Sequence, residues 1–150
     1  MKNRWIQLAG SLLAMLMIAN LQYAWTLFVE PIRGATGWKL SDIQWAFTLF
    51  ILCETWAMPL EGWLIDRIGP RVFITAAGVL CGIGWTAMAT AATLHQLYGY
   101  YAVAGLGAAF VYSGSIAAAL KWFPDKRGLA AGIIAGGFGS GSAIFIPIIA

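Results

Sequence analysis

Charged residues are scarce in this sequence. Aspartate and glutamate number six, lysine and arginine nine, and together they make up 10% of the 150 residues, whereas hydrophobic residues make up 61%. A soluble domain has about 25% charged residues, so this composition excludes an ordinary water-soluble protein. We therefore expect a protein whose surface faces the lipid bilayer, and we expect no nucleic-acid partner.

Cysteine and histidine are also rare. Cys53 and Cys81 fall within apolar runs and have no metal-ligand spacing, so the sequence implies neither a disulfide framework nor a metal site. The single histidine, His95, stands alone, and the sequence has no pairing of a nucleophile with a base and no phosphate-binding loop. The sequence therefore predicts no enzymatic activity, no metal and no cofactor.

Five apolar runs are long enough to cross a bilayer. They cover residues 5–29, 43–64, 72–93, 98–120 and 129–150. The first run is too long for the apolar part of a secretory signal peptide and more runs follow it, so we expect a retained helix. The fifth run reaches Ala150 without an exit signal. We expect an all-α membrane protein that is the front part of a longer one.

The connections between these runs differ in their basic residues. One side of the membrane receives seven lysines and arginines and the other side receives two, Arg33 and Lys39. The seven are Lys2, Arg4, Arg67, Arg71, Lys121, Lys126 and Arg127. Because basic residues are retained on the cytoplasmic side, the N-terminus is predicted to be cytoplasmic, in the inner or plasma membrane of the cell.

The connection between the second and third runs, GWLIDRIGPR at Gly62 to Arg71, is unusually polar. Gly69 suits a turn conformation that most residues avoid, and Pro70 suits the first position of a helix. Asp66 can accept hydrogen bonds from Arg67, Arg71 or a helix N-terminus. These charges either only set the topology or form a cluster that breaks and reforms when helices move.

The whole spacing, Gly-x-Leu-x-Asp-Arg-x-Gly-x-Arg, closely resembles the signature loop of the major facilitator superfamily of secondary transporters. The resemblance implies a twelve-helix fold, of which residues 1–150 are an incomplete N-terminal six-helix half. It also implies a cytoplasmic gate formed by this loop, with the residues Gly62, Asp66, Arg67, Gly69 and Arg71. Pro70 departs from the family pattern, which often has a basic residue there.

Two further stretches, KWFPDKRGLAAG at Lys121 to Gly132 and QYAWTLFVEPI at Gln22 to Ile32, look like the oxalate/formate antiporter family, relatives of the monocarboxylate transporters. The resemblance implies antiport of small carboxylates by alternating access. It places Gln22, Tyr23 and Tyr112 in the substrate cavity.

No lysine or arginine lies within any predicted span, although a carboxylate carrier needs cationic or strongly donating groups around its substrate. By the family resemblance, these bases come from the missing C-terminal half. The chain alone is therefore expected not to transport. The alternative to a transporter is a truncated membrane protein that does not transport and serves as an assembly subunit.

Glu54 is the most informative polar residue inside a predicted span, because it is an acid with apolar neighbours in sequence. An isolated ionised carboxylate there is costly, so we expect it to be protonated or paired. It is a candidate coupling residue for proton-linked monocarboxylate symport, the alternative to antiport, or else a structural partner. Tyr101 argues against the proton-coupled drug antiporters, because many drug and sugar carriers have an arginine at the corresponding position.

Overall fold

The computed structural model describes residues 3–149, and this part of the chain forms six α-helices. They are α1 (Arg4–Tyr23), α2 (Trp25–Thr36), α3 (Leu40–Ile68), α4 (Pro70–Met88), α5 (Leu94–Trp122) and α6 (Arg127–Ile149). All except α2 are long and apolar enough to cross a membrane. The prediction of an all-α chain with about five spans is confirmed. Residues 1, 2 and 150 lie outside the described part.

Helix α5 is the centre of the bundle and packs against α1, α3, α4 and α6. Small residues allow the close approach. A Cβ on Gly105 would lie 2.6 Å from the carbonyl oxygen of Phe50 in α3, and one on Gly107 would lie 2.5 Å from the backbone nitrogen of Cys81 in α4. Backbones therefore touch on two sides of α5, as expected where helices pack without a hydrophobic driving force from water.

Contacts between sequence-distant residues define the two ends of the bundle. Arg4, at the start of α1, binds Asp125, between α5 and α6. The hydroxyl of Tyr98, near the start of α5, donates to the carbonyl of Asp42 near the start of α3, at 2.7 Å. We call these the Arg4 end and the Asp42 end. Helices α1 and α6 begin at the Arg4 end, whereas α3 and α5 begin at the Asp42 end.

The first predicted span is interrupted at Ala24. This residue separates α1 from α2 with φ −81° and ψ −3°. Its N–H still bonds to the carbonyl of Asn20, at 3.0 Å, but its own carbonyl accepts from Leu27 three residues on, also at 3.0 Å. The helical ladder therefore changes register here, and nothing in the sequence predicted the break.

The junction of α3 and α4 is the single residue Gly69, with φ 81° and ψ 150°. The predicted roles of Gly69 as the turn and Pro70 as the first residue of the next helix are confirmed. The predicted length of the connection is wrong. Helix α3 continues to Ile68, because the segment from Trp63 to Arg67 contains no helix breaker and the N–H of Gly69 still donates to the carbonyl of Ile65 at 2.9 Å.

Candidate functional site

Tyr23 and Tyr112, both predicted to bind substrate, lie against the same aromatic ring. The ring of Phe138 in α6 is 5.6 Å from that of Tyr23 and 5.4 Å from that of Tyr112, centroid to centroid. Tyr23 is 39% exposed. Gln22, the third predicted residue, is half-buried beside it. The fold thus brings side chains from α1, α5 and α6 to one place.

The break at Ala24 immediately follows Gln22 and Tyr23. Because the helix is interrupted, the N–H of Trp25 does not donate to the carbonyl of Leu21, its partner in a continuous helix. The buried hydroxyl of Tyr101 donates to that carbonyl instead, at 2.8 Å. Nearby, the side-chain oxygen Oδ1 of Asn20 is buried without a hydrogen-bond partner among the described residues. Irregular backbone and one unpaired side-chain oxygen thus lie next to the predicted binding residues.

Glu54, the candidate coupling residue, is half-buried in α3. A second carboxyl that sequence reasoning missed, Glu61, lies seven residues further along the same helix and is only 2% exposed. Its Oε1 atom has no hydrogen-bond partner among residues 3–149. Two helical turns separate the two glutamates, so they share a face of α3. That seven-residue spacing was the available signal, since both glutamates lie within the predicted span 43–64.

The predicted gate residues lie around the junction of α3 and α4. Asp66, Arg67 and Arg71 are exposed, and Gly62 faces open space. The guanidinium of Arg67 lies over the ring of Trp63, 5.2 Å from its centroid. In the described part of the chain, ion pairs form only between Arg4 and Asp125 and between Glu30 and Arg33, so the gate charges make none with each other.

Asp125, in the connection between α5 and α6, pairs with the start of α1. Both of its carboxylate oxygens accept from the Arg4 guanidinium, each at 3.1 Å. That guanidinium also lies 5.0 Å from the centroid of the Phe123 ring. The pKa of Asp125 is lowered, first by a hydrogen bond from its own backbone N–H and then by Arg4 and the charge of Lys126.

A cavity of about 890 Å³ at the Arg4 end is separate from the predicted substrate residues. It lies between α1, α4 and α5, and its lining includes Ser11, Gly69, Thr75 and Ser115. The buried hydroxyl of Ser115 has no partner among the described residues. In the same part of the chain, no three His, Cys, Asp or Glu residues are grouped to hold a metal ion.

Comparison with known proteins decides the family. The family model of the Major Facilitator Superfamily matches residues 10–150. The chain belongs to this superfamily. It is a multi-pass membrane protein, with five helices among the described residues that are long and apolar enough to cross a bilayer.

Three relatives carry names that refer to small acids. The chain is 40% identical over 147 residues to an oxalate:formate antiporter of Oxalobacter formigenes, covering 98% of this chain and 35% of the relative. It is 30% identical over 115 residues to apicoplast pyruvate carrier 1 of Toxoplasma gondii, covering 73% and 20%. It is 26% identical over 153 residues to human monocarboxylate transporter 14, covering 97% and 29%.

The chain therefore spans about a third of the length of the curated relatives that it matches first. This coverage agrees with the expectation of an N-terminal portion of the superfamily fold. About two thirds of the length of those relatives lies outside this chain, so this chain alone does not define a substrate site.

Proposed function

We propose that this chain forms the N-terminal part of a transporter in the cell membrane that exchanges small carboxylates, such as oxalate and formate, by alternating access. Its N-terminus, and with it the Arg4 end, lies in the cytoplasm. Transport rather than enzymatic catalysis is the activity, and the substrate contacts residues of both halves of the complete protein.

The observation that carries this proposal is the convergence of α1, α5 and α6 on Phe138. The rings of Tyr23 and Tyr112 both pack against Phe138, and Gln22 directly precedes Tyr23, so we assign their phenol and amide groups to one binding site. Such groups can replace water around a carboxylate. The 40% identity to an oxalate:formate antiporter over nearly the whole chain supports the same substrate class.

Full charge compensation requires the rest of the protein. The helices from α3 to α6 contain no lysine or arginine away from their ends. A dianion such as oxalate needs cationic partners, and we assign these to helices that follow Ala150 in the complete transporter. The 150 residues alone then bind and transport no carboxylate.

We assign the gate role to Gly62, Asp66, Arg67, Gly69 and Arg71. The three charged side chains are exposed and make no ion pair within the described chain. They are thus free to bind the other half when the transporter opens to the outside. Closing and opening then make and break these charge contacts.

The test is counter-exchange in proteoliposomes with the complete transporter. Vesicles loaded with formate should take up labelled oxalate without a pH gradient. Tyr23→Phe and Tyr112→Phe should each weaken oxalate binding by roughly 10- to 100-fold, because each removes one hydrogen bond to a charged group. Tyr100→Phe, in the same helix as Tyr112, is the matched control and should leave exchange unchanged. Absence of any carboxylate exchange by the wild-type protein contradicts the proposal.

Proton-linked symport is the second candidate, and the pair of glutamates in α3 favours it. Symport predicts that Glu54→Gln abolishes uptake driven by a pH gradient, because the glutamine cannot bind a proton. Anion exchange survives the same change. Glu30→Gln, which alters a glutamate whose side chain is 72% exposed, is the control for losing one acid. Loss of pH-driven uptake in Glu54→Gln but not Glu30→Gln would favour symport over exchange.

A further inference from the structure

Tyr101 is a buried residue that contacts both sides of the helix break. Its side chain is fully buried, and its hydroxyl donates to the Leu21 carbonyl at 2.8 Å. That carbonyl has lost its usual partner in the helix. A backbone acceptor without a partner inside a bilayer costs free energy, because no water is available there. The hydroxyl therefore stabilises the interrupted form of the first span.

The ring of Tyr101 packs against two further aromatic rings. It stacks on Trp25, the first residue of α2, with centroids 4.5 Å apart and planes at 18°. It also stacks on Phe50 of α3, with centroids 4.5 Å apart and planes at 29°. One helical turn along α5, Gly105 brings the backbone of α5 against that of Phe50. The hydroxyl thus has a fixed place relative to α1, α2 and α3.

The residue that Tyr101 holds directly precedes the two predicted substrate residues in sequence. We propose that Tyr101 is a positioning residue: by binding the Leu21 carbonyl and stacking on Trp25, it fixes the break that directly follows Gln22 and Tyr23 and so holds the Tyr23 ring against Phe138. This inference rests on the proposed carboxylate transport for its functional part. Its structural part concerns this chain alone.

Another tyrosine of α5 provides a close comparison. Tyr98 makes the same kind of bond, from its hydroxyl to the backbone carbonyl of Asp42, at 2.7 Å. That bond links α5 to the start of α3 at the Asp42 end, and neither of its two atoms belongs to α1 or α2. If a tyrosine hydroxyl only joined helices, Tyr98→Phe and Tyr101→Phe would have the same consequences.

The experiment compares Tyr101→Phe with Tyr98→Phe, two changes that each remove one oxygen atom and keep the ring. The first readout is amide hydrogen exchange of residues 25–27 in lipid nanodiscs, using the 150-residue chain. Tyr101→Phe should slow this exchange by roughly fivefold, because the Leu21 carbonyl without its hydroxyl partner favours the continuous helix, in which it accepts from the Trp25 N–H, and Tyr98→Phe should not. Unchanged exchange in Tyr101→Phe overturns the inference, whatever the transport assay returns.

The second readout is oxalate exchange by the complete transporter. Tyr101→Phe should raise the half-saturating oxalate concentration by roughly fivefold and change the maximal rate by less than about twofold. Tyr98→Phe should leave both unchanged. If the two changes have equal effects, the Tyr101 hydroxyl only links helices, and the positioning role is overturned. A wild-type protein that moves no carboxylate contradicts the proposed function instead, and hydrogen exchange then decides whether Tyr101 holds the break.

Discussion

Arg4 and Asp125 are 121 positions apart in the sequence, and at the Arg4 end they form an ion pair in which the Nη1 atom of Arg4 donates to both carboxylate oxygens. The side chains are 40% and 48% exposed, so water and salt screen the pair. Phe123, fully buried beneath the guanidinium, adds a cation–π contact. Together these contacts attach the start of α1 to the connection between α5 and α6.

Stability should depend on pH through this pair. Because the folded-state pKa of Asp125 lies below its ordinary value of 3.8, its contribution is present above that value and is lost as the pH falls through the lower folded pKa. Thermal unfolding in detergent, recorded from pH 7 to pH 3, should show wild type more stable than Asp125→Asn at pH 7. The two curves should converge at the acidic end.

A persistent gap between the curves at the lowest pH would mean that the asparagine disturbs the connection for another reason. Added salt provides a second check at pH 7. It should narrow the gap, because both side chains are partly exposed to solvent and dissolved salt screens their attraction.

Individual residues were predictable where local chemistry decides. Gly69 and Pro70 follow from backbone conformational rules alone, and the structure places them as expected. Tyr101 and Asp125 could not be assigned in this way. Their partners, Leu21 and Arg4, are far away in sequence, and only the packing of α1 against α5 and α6 brings them together.

The helices themselves are predictable, because a bilayer requires every backbone group of a span to be paired within it. Long apolar runs therefore predict α3, α4, α5 and α6 well. The interruption of the first span at Ala24 leaves no mark in the sequence, since alanine favours helix and the flanking residues are apolar or uncharged. The stabilising hydroxyl comes from another helix, so the break is a tertiary feature.

The interface between α4 and α5 should tolerate no added atoms at Gly107. A Cβ there would lie 2.5 Å from the backbone nitrogen and 2.7 Å from the Cα of Cys81, and neither atom can move independently of α4. We expect Gly107→Ala to destabilise the protein by about 1–3 kcal/mol, the usual cost of overpacking. Thermal unfolding in detergent measures the change.

Gly99→Ala is the matched control in the same helix, since no atom lies within 4 Å of its added Cβ. It should be neutral or stabilising by up to about 1 kcal/mol, because alanine favours helix over glycine. A Gly107→Ala protein as stable as the Gly99→Ala protein would show that α4 and α5 are not in backbone contact.

The molecule as a whole has an uneven distribution of charge between its two ends. The Arg4 end holds most of the lysines and arginines, and the Asp42 end holds Arg33 and Lys39. This asymmetry was readable from the sequence because it depends only on the order of spans and charges. The arrangement of the helices around α5 was not readable, since it depends on which small residues meet.

Orientation in the membrane can be measured directly. After Cys53 and Cys81 are replaced by alanine, Ala92→Cys places one thiol at the Asp42 end and Gly128→Cys places one at the Arg4 end. A membrane-impermeant maleimide added to intact cells should label Ala92→Cys and leave Gly128→Cys unlabelled. Labelling of Gly128→Cys alone would place the N-terminus outside.

Gly69, the single residue between α3 and α4, has a mechanical consequence. Consecutive Cα atoms are only about 3.8 Å apart, so this junction provides no slack. A tilt of α3 at the Arg4 end must therefore drag the start of α4 with it, and α4 in turn contacts the backbone of α5 at Gly107. A force applied to Asp66 or Arg67 would therefore be transmitted through Gly69 to α4, and from α4 to α5 at the centre of the bundle.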